Sequence, residues 1–386
     1  MIKQVAILGS TGSIGNSTLN IIGKNKNYKI SLLSANTDIN KLFKQSIKFN
    51  VKYAIIEDKI KYNKYKNLFN KNKIKLYLGL NNIEKILKKK ISYCINSISG
   101  IDGLEPTLKI IPYTEKILIA NKESIICGWH IIKKKLDKYD TQFIPIDSEH
   151  FSIWKLIKNE SKNNIDKVIL TASGGPFLKK TLKQVSNIKP RFALRHPNWK
   201  MGKKISIDSA TMMNKIFELI EAKKIFNLKK NEISIIIHPS SFIHAIVFFK
   251  GNTVKLLAHE TSMTIPISNA LDIYDKTLNN KISKQINLLT NLKFEKPKIH
   301  QFPLLSIIDL IPEHNSFFET ILITLNDYLV YKYLKSEINY ISIHLNLLKL
   351  IKSPFLKKYY KLKPKNIYDI KKMIKITNKY IENNIK

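Results

Sequence analysis

The chain has 386 residues, 44% of them hydrophobic, and a formal net charge of +37 at pH 7. That length exceeds the usual size of one core and predicts two or three domains of ordinary globular hydrophobicity. No apolar run approaches the roughly 18 residues of a bilayer span, and Cys94 and Cys127 are too few for a disulfide framework or a thiolate zinc site.

The apolar stretch Val5–Leu8 is too short for a signal peptide, so a cytoplasmic protein with no membrane partner is expected. The positive charge is spread along the chain with an excess of Ile and Asn, which fits compositional drift, and no specific nucleic-acid partner is expected. Of the 66 basic residues only Arg191 and Arg195 are arginines, and both sit in one short segment. Glycines cluster too: Gly9, Gly12 and Gly15; Gly100 and Gly103; Gly174, Gly175 and Gly202. In a chain poor in both residue types, such places are expected to need their geometry.

Taken in chain order, apolar runs at Val5–Leu8, Ile30–Leu33, Tyr53–Ile56, Ile91–Ile95, Ile117–Ala120 and Phe143–Ile146 alternate with amphipathic stretches such as Ile14–Ile22 and Ile39–Phe49. That alternation predicts a mostly parallel sheet covered by helices over residues 1–147, and the Lys/Asn-rich Lys59–Asn81 reads as solvated helices and loops. From Asp147 the pattern changes. A strand-like Val168–Leu170 leads into a long irregular segment to about Lys204, then a helix from about Ser209 to Lys224. Strand-like runs follow at Ile233–Ile237, Phe242–Phe249 and Val254–Ala258, so residues 148–275 read as an α+β domain. Residues 276–300 have no clear period and read as a linker. Residues 301–386 read as a helical bundle, with helices over Phe317–Leu334 and Ile338–Ile351. The fold class expected is α/β with a Rossmann-like N-terminal domain, a central α+β domain and a C-terminal helical bundle.

Gly9-Ser10-Thr11-Gly12-Ser13-Ile14-Gly15 directly follows the first strand. A strand, a glycine turn and a helix start form a dinucleotide phosphate site, where backbone N–H groups meet a pyrophosphate; a plain tight turn is the alternative. The second strand ends in Ala35, Asn36 and Thr37, without the acidic residue that would favour NAD, which leans toward NADP. Asp38 comes slightly late and reads better as a helix N-cap.

Pro145-Ile146-Asp147-Ser148-Glu149-His150 places two carboxylates two residues apart at a strand end. In extended backbone Asp147 and Glu149 share one side and suit a hard divalent cation; taken alone, an exposed cap or turn is the better reading. On a helix, Asn214 and Lys215 share the face of Glu218, either converging on one ligand or forming an ordinary surface pair with Ser209 as N-cap. Ser173-Gly174-Gly175 after a strand suits a backbone nest for phosphate, or a flexible turn. The loop Pro190–Gly202 carries His196 and Trp199 and reads as a lid over a small ligand.

In order and spacing, GSTGSIG, ANKES, PIDSEH, SGGPF, RHPNWKMG and DSATMMNK resemble the 1-deoxy-D-xylulose 5-phosphate reductoisomerase family, from residue 5 to about 270 and more weakly beyond. The resemblance implies a divalent cation (Mg²⁺, Mn²⁺ or Co²⁺) on Asp147, Glu149 and Glu218, with Lys215 and His196 completing the catalytic set. It implies substrate contacts from Ser148, Glu149, Lys122, Ser173, His196, Trp199, Ser209, Asn214, Lys215 and Glu218. NADPH contacts are implied for Gly9, Thr11, Gly12, Ser13 and Ile14, for Ala35, Asn36 and Thr37, and for Asn121, Lys122, Glu123 and Gly202. It also implies a phosphosugar substrate, a homodimer with His238–His244 in the central sheet near the subunit contact, and domains spanning 1–147, 148–275 and 301–386 for dinucleotide, catalysis and dimerisation, and helices. Ala35-Asn36-Thr37, Ile216 and Leu325-Asn326-Asp327 depart from the family's pattern without removing a proposed ligand. The rival readings are another Rossmann oxidoreductase, such as a homoserine or semialdehyde dehydrogenase, a polyanion binder, and an inactive copy.

Overall fold

The computed structural model of the protein describes residues 2–273 and 282–385. The chain divides into two compact units, one formed by residues 1–147 together with the segment from Met263, the other by 148–262 and the remainder of the chain.

In the first unit, β1 (Lys3–Leu8), β2 (Tyr28–Ala35), β3 (Tyr53–Ile56), β4 (Lys75–Leu78), β5 (Ile91–Asn96), β6 (Thr114–Ile119) and β7 (Gln142–Pro145) form one sheet. Its order is β4-β3-β2-β1-β5-β6-β7 and every pairing is parallel. Strands buried on both faces read as continuous apolar runs, which is why most were visible as such. β4 is the exception: it lies in the stretch expected to be only helices and loops. It is a four-residue edge strand, half exposed, whose Lys75-Leu76-Tyr77-Leu78 makes no apolar run. The strand order reverses on either side of β1, so the crevice beyond the ends of β1 and β5 is where a doubly wound sheet binds its ligand.

The helix Ile39–Lys48 starts at Asp38, whose side chain accepts from the Lys41 N–H at 3.0 Å. Asp38 therefore caps a helix, as its position suggested. Asp38→Ala is expected to cost about 1 kcal/mol, lowering the thermal midpoint by roughly 2–4 °C and leaving the Michaelis constant for NADPH unchanged. A large loss of NADPH affinity instead would assign Asp38 to the cofactor.

The boundary expected at 275 moves back to 262. The helix Thr264–Ala270 packs against the helix Ser13–Ile22, and the Tyr28 hydroxyl donates to the Leu271 carbonyl, which ties this return segment to the first unit. Of the linker expected over 276–300, residues 276–281 lie outside the described residues. Its remainder contains a helix, Ile282–Thr290, and a bridge between Glu295 and Ile237.

The second unit is built on β8 (Ile165–Ala172), β9 (Ile233–Ile237), β10 (Ile243–Phe249) and β11 (Val254–Ala258), in the order β11-β10-β8-β9. The helices Ser148–Leu156 and Met213–Ile225 pack on this sheet. C-terminal helices Phe318–Leu334, Tyr340–Ile351 and Ile367–Asn384 form the expected bundle, but it joins the second unit rather than standing apart. Buried polar pairs show why. Asn326 Nδ2 donates to Asp208 Oδ1 at 2.7 Å, Tyr340 Oη to the Ala210 carbonyl at 2.7 Å, and Lys224 pairs with Glu319 at 2.8 Å.

The single helix expected from Ser209 to Lys224 is two, Lys203–Ala210 and Met213–Ile225, separated by a corner at which Met212 has φ +65°. Ser209 thus sits in the last turn of one helix and caps neither. The segment read as irregular also holds two one-turn helices, Leu182–Val185 and Pro190–Ala193.

Candidate active site

Gly9 follows β1 with φ +78°, and a Cβ there would lie 3.0 Å from the backbone of Ser97, so the turn approaches the end of β5 as closely as a glycine allows. At Gly15 a Cβ would lie 2.5 Å from Ser10 Cα, so the helix Ser13–Ile22 can seat against the turn only without a side chain. Gly12 and Ser13 are exposed and Thr11 and Ile14 half-buried along this turn and the helix start, a position whose N–H groups suit an anion. Three residues that sequence reasoning missed brace it. Gly9 N–H donates to Ser34 Oγ at 3.0 Å, the Gln45 amide bonds Ser10 and Asn16, and Lys41 Nζ donates to the Thr11 carbonyl at 2.7 Å.

Ala35 is buried at the end of β2, while Asn36 and Thr37 are exposed. Lys61, distant in sequence, donates to the Thr37 carbonyl at 2.6 Å and supplies the positive charge this strand end lacks in its own sequence. Asn121 sits between β6 and the helix Lys122–Tyr139, and its amide donates to the Ile98 carbonyl at 2.6 Å across the space left by Gly103. Glu123 occupies the first turn of that helix, and Lys122 Nζ lies 2.5 Å from Asp147 Oδ2 at the end of β7.

β7 ends at Pro145 and the helix Ser148–Leu156 starts three residues on. The extended-backbone argument for Asp147 and Glu149 therefore fails: a helix start, not strand alternation, brings them together. Ser148 does not point away either; its hydroxyl donates to Glu149 Oε2. Asp147 is bonded directly to Ser148, so its place beside Glu149 is set locally. One ligand oxygen from each of Asp147, Glu149 and Glu218 lies within 4.8 Å of the other two.

Lys215 and Asn214 reach Glu218 from one helix face, as their spacing suggested: Asn214 Nδ2 donates to Glu218 Oε1, and Lys215 Nζ donates to Glu218 Oε2 and, at 2.7 Å, to Glu149 Oε1. Burial alone would lower the Lys215 pKa, but the two carboxylates outweigh it and hold the ammonium charged. His150, present in the motif but assigned no role, is fully buried, and its Nε2–H donates to the Glu218 carbonyl at 2.9 Å. Its only sequence signal was its place next to Glu149.

Ser173 Oγ accepts from Gly175 N–H at 3.0 Å and lies 2.9 Å from His196 Nε2. His196 Nδ1 accepts from the N–H groups of Asn198 and Trp199 at 3.1 and 3.0 Å, so the ring proton is on Nε2 and is donated to Ser173. Trp199 meets His244 edge to face, and His244 stacks on His259 at 3.8 Å. Gly202 is the N-cap of the helix Lys203–Ala210, in the second unit, whereas the other expected cofactor residues lie in the first.

Burial lowers the pKa of His196 and His344 to about 4 and, with the charge of His259, that of His244 to about 3; burial also lowers His238 and His259. Between pH 4 and about 6.5 the unfolded chain binds protons that the folded chain does not, so stability rises with pH across that window and levels off above it. The thermal midpoint is expected to fall steadily from pH 6.5 toward 4; a flat profile there would remove the neutral-histidine assignment.

A family model for 1-deoxy-D-xylulose 5-phosphate reductoisomerase matches residues 5–128, one for its C-terminal domain matches 143–226, and one for the DXP reductoisomerase C-terminal domain matches 259–380. The 1-deoxy-D-xylulose 5-phosphate reductoisomerase of Pelagibacter ubique is 49% identical over 379 residues, 96% of either chain. That of Wolbachia pipientis wMel is 39% identical over 349 residues, 88% of either chain. Among solved structures, DOX-P reductoisomerase in complex with NADPH, fosmidomycin and magnesium superposes with a TM-score of 0.88 at 29% identity, covering 99% of this chain and 98% of that one. The Zymomonas mobilis enzyme in complex with NADPH gives 0.84 at 27% identity, covering 97% and 96%.

Proposed function

This chain belongs to the 1-deoxy-D-xylulose 5-phosphate reductoisomerase family, and from that premise we propose how its residues share the work of the reaction. It is an NADPH-dependent enzyme that isomerises and reduces 1-deoxy-D-xylulose 5-phosphate to 2-C-methyl-D-erythritol 4-phosphate in isoprenoid biosynthesis, with a divalent cation as second cofactor. The observation that carries the site assignment is the convergence of Asp147, Glu149 and Glu218, remote from one another in part, on one small volume.

Three carboxylates are hard oxygen donors and fit Mg²⁺, Mn²⁺ or Co²⁺, and the cluster already holds a cation of another kind, the Lys215 ammonium between Glu149 and Glu218. When bound, the divalent cation supplies Lewis acidity toward the ketone and its neighbouring hydroxyl, and NADPH supplies the hydride. Ser148 and Lys122 are the proposed contacts to that end of the sugar. Ser173, Ser209, Asn214 and Lys215 bind the phosphate, Asn214 and Lys215 exchanging their bonds to Glu218 and Glu149 for phosphate oxygens, and this contact orients the carbons for cleavage and re-formation of the skeleton by retro-aldol and aldol steps. The neutral His196 keeps the Ser173 hydroxyl in place, leaving that hydroxyl's proton for a phosphate oxygen. His196 and Trp199 cover the sugar and keep water from the aldehyde before its reduction.

The turn from Gly9 to Ile14, the strand end at Ala35–Thr37, and Asn121, Glu123 and Gly202 are the proposed NADPH contacts. A homodimer is proposed through the second unit's sheet, where β11 is an edge strand with Val254 and Leu256 exposed. Among the described residues no helix is long and apolar enough to cross a membrane. The buried free thiols Cys94 and Cys127 support a cytoplasmic setting.

The test is direct. With Mn²⁺ present, purified protein should oxidise NADPH when deoxyxylulose phosphate is added and yield one methylerythritol phosphate per NADPH. NADPH oxidation with homoserine or a semialdehyde but not with deoxyxylulose phosphate would overturn the assignment.

A further inference from the structure

The proposed phosphate site is assembled from two separate pieces of chain. Ser173, Gly174 and Gly175 follow β8, while Ser209, Asn214 and Lys215 flank the corner between the helices Lys203–Ala210 and Met213–Ile225. The pieces meet backbone to backbone: a Cβ on Gly175 would lie 2.9 Å from the Ser209 carbonyl oxygen and 3.1 Å from Ala210 Cα. With so little space between them, a small slip of one piece alters the spacing of every donor the phosphate meets.

Tyr340, the first residue of the helix Tyr340–Ile351, stands at this seam and is 2% exposed. Its hydroxyl donates to the Ala210 carbonyl at 2.7 Å, at the helix end where the regular ladder stops. Its ring meets Phe177 edge to face, with centroids 5.3 Å apart, and Phe177 lies two residues beyond Gly175. The rings of Tyr333 and His344 lie against it at 5.7 and 5.0 Å. One side chain therefore touches both pieces of the site. A ring chosen for packing alone needs no hydroxyl; a buried hydroxyl is tolerated only where it is bonded, and this one is aimed at a single carbonyl. From the neighbouring helix, Asn326 braces the same helix end through Asp208.

We propose that Tyr340 is a positioning residue for the reaction: by joining Ala210 to Phe177 it keeps the Ser173–Gly175 nest in register with the Ser209–Lys215 corner, so that the C-terminal helices set the affinity for the substrate's phosphate. This rests on the phosphate reading above.

The experiment uses the full chain and compares Tyr340→Phe with Ser173→Ala and with Tyr333→Phe, whose hydroxyl donates to the Ile188 carbonyl at 2.8 Å and touches neither piece. Tyr340→Phe should raise the Michaelis constant for deoxyxylulose phosphate and the inhibition constant of inorganic phosphate by the same factor, on the order of tenfold. Its Michaelis constant for NADPH should stay unchanged. Tyr333→Phe should lower the thermal midpoint and leave all of these constants alone. Phe177→Leu, which loosens the same contact from the nest side, should raise the same two constants as Tyr340→Phe. If Ser173→Ala weakens phosphate inhibition while Tyr340→Phe and Phe177→Leu change only the midpoint, the positioning role is overturned and the phosphate site stands. If Ser173→Ala also leaves phosphate inhibition unchanged, the phosphate reading fails and the role of Tyr340 falls with it.

Discussion

Glu218→Gln is expected to lower kcat by about a thousandfold or more, a barrier increase of roughly 4 kcal/mol, in a protein that remains folded. Glu218 is 1% exposed and sits at the centre of a packed polar cluster. Glutamine keeps its size, so no cavity is created; its one carbonyl oxygen can still accept from Lys215, while its NH2 faces Asn214, whose amide must turn its oxygen toward it to keep that bond. What disappears is one of three negative charges, the feature a hard cation selects for. The thermal midpoint without added metal should therefore move little, while its rise on adding Mn²⁺ should shrink. Wild-type turnover in this variant would end the metal assignment.

Removal of divalent cations by a chelator should abolish turnover, and Mn²⁺ or Mg²⁺ should restore it. The fold is expected to survive, because the Lys215 ammonium between Glu149 and Glu218 and the Lys122 ammonium on Asp147 already offset the clustered negative charge. Cation at a hundredfold its dissociation constant should add about 2.7 kcal/mol of stability, read as a rise in thermal midpoint that Glu218→Gln diminishes. NADPH binding, followed by its fluorescence, should continue in the chelated protein, since the glycine turn proposed to hold it belongs to the first unit and would use backbone donors. A Rossmann oxidoreductase lacking the carboxylate set would keep its turnover under chelation, so this measurement also separates the nearest rival reading.

The two halves of the site were legible in the sequence to different degrees. The cofactor turn is a local object: Gly9 and Gly15 are required by φ +78° and by a 2.5 Å approach, and both constraints act within a few residues of the glycines themselves. Its braces were not legible, because Gln45 and Lys41 reach the turn from a helix about thirty residues away, and Lys61 reaches Thr37 from further along the chain. In a chain this rich in lysine, no single lysine stands out until its partner is known.

In the carboxylate set the three acids do lie close together, but the local picture expected for two of them was wrong. Asp147 and Glu149 converge because a helix begins between them, not because a strand alternates. Likewise the Ser209–Glu218 stretch carries the expected face of Asn214, Lys215 and Glu218, yet it bends at Met212, where a non-glycine residue adopts φ +65°. Its apolar pattern runs through that corner unbroken, since Met212 and Met213 are both buried, so periodicity gave no sign of it.

The amino-acid order by itself determined which residues could serve: the glycine turn, the three acids, the Ser-Gly-Gly nest, and the alternation that makes a parallel sheet. These are short-range properties, carried by backbone freedom, charge and period. Only the tertiary structure decided which of them meet. Glu218 lies 69 residues from Glu149 in the chain, and the helix packing that closes this gap depends on the whole second unit, including a C-terminal bundle whose Tyr340 and Asn326 grip the neighbouring corner. Contacts of that range arise from the summed burial of many apolar side chains, and no local pattern records them.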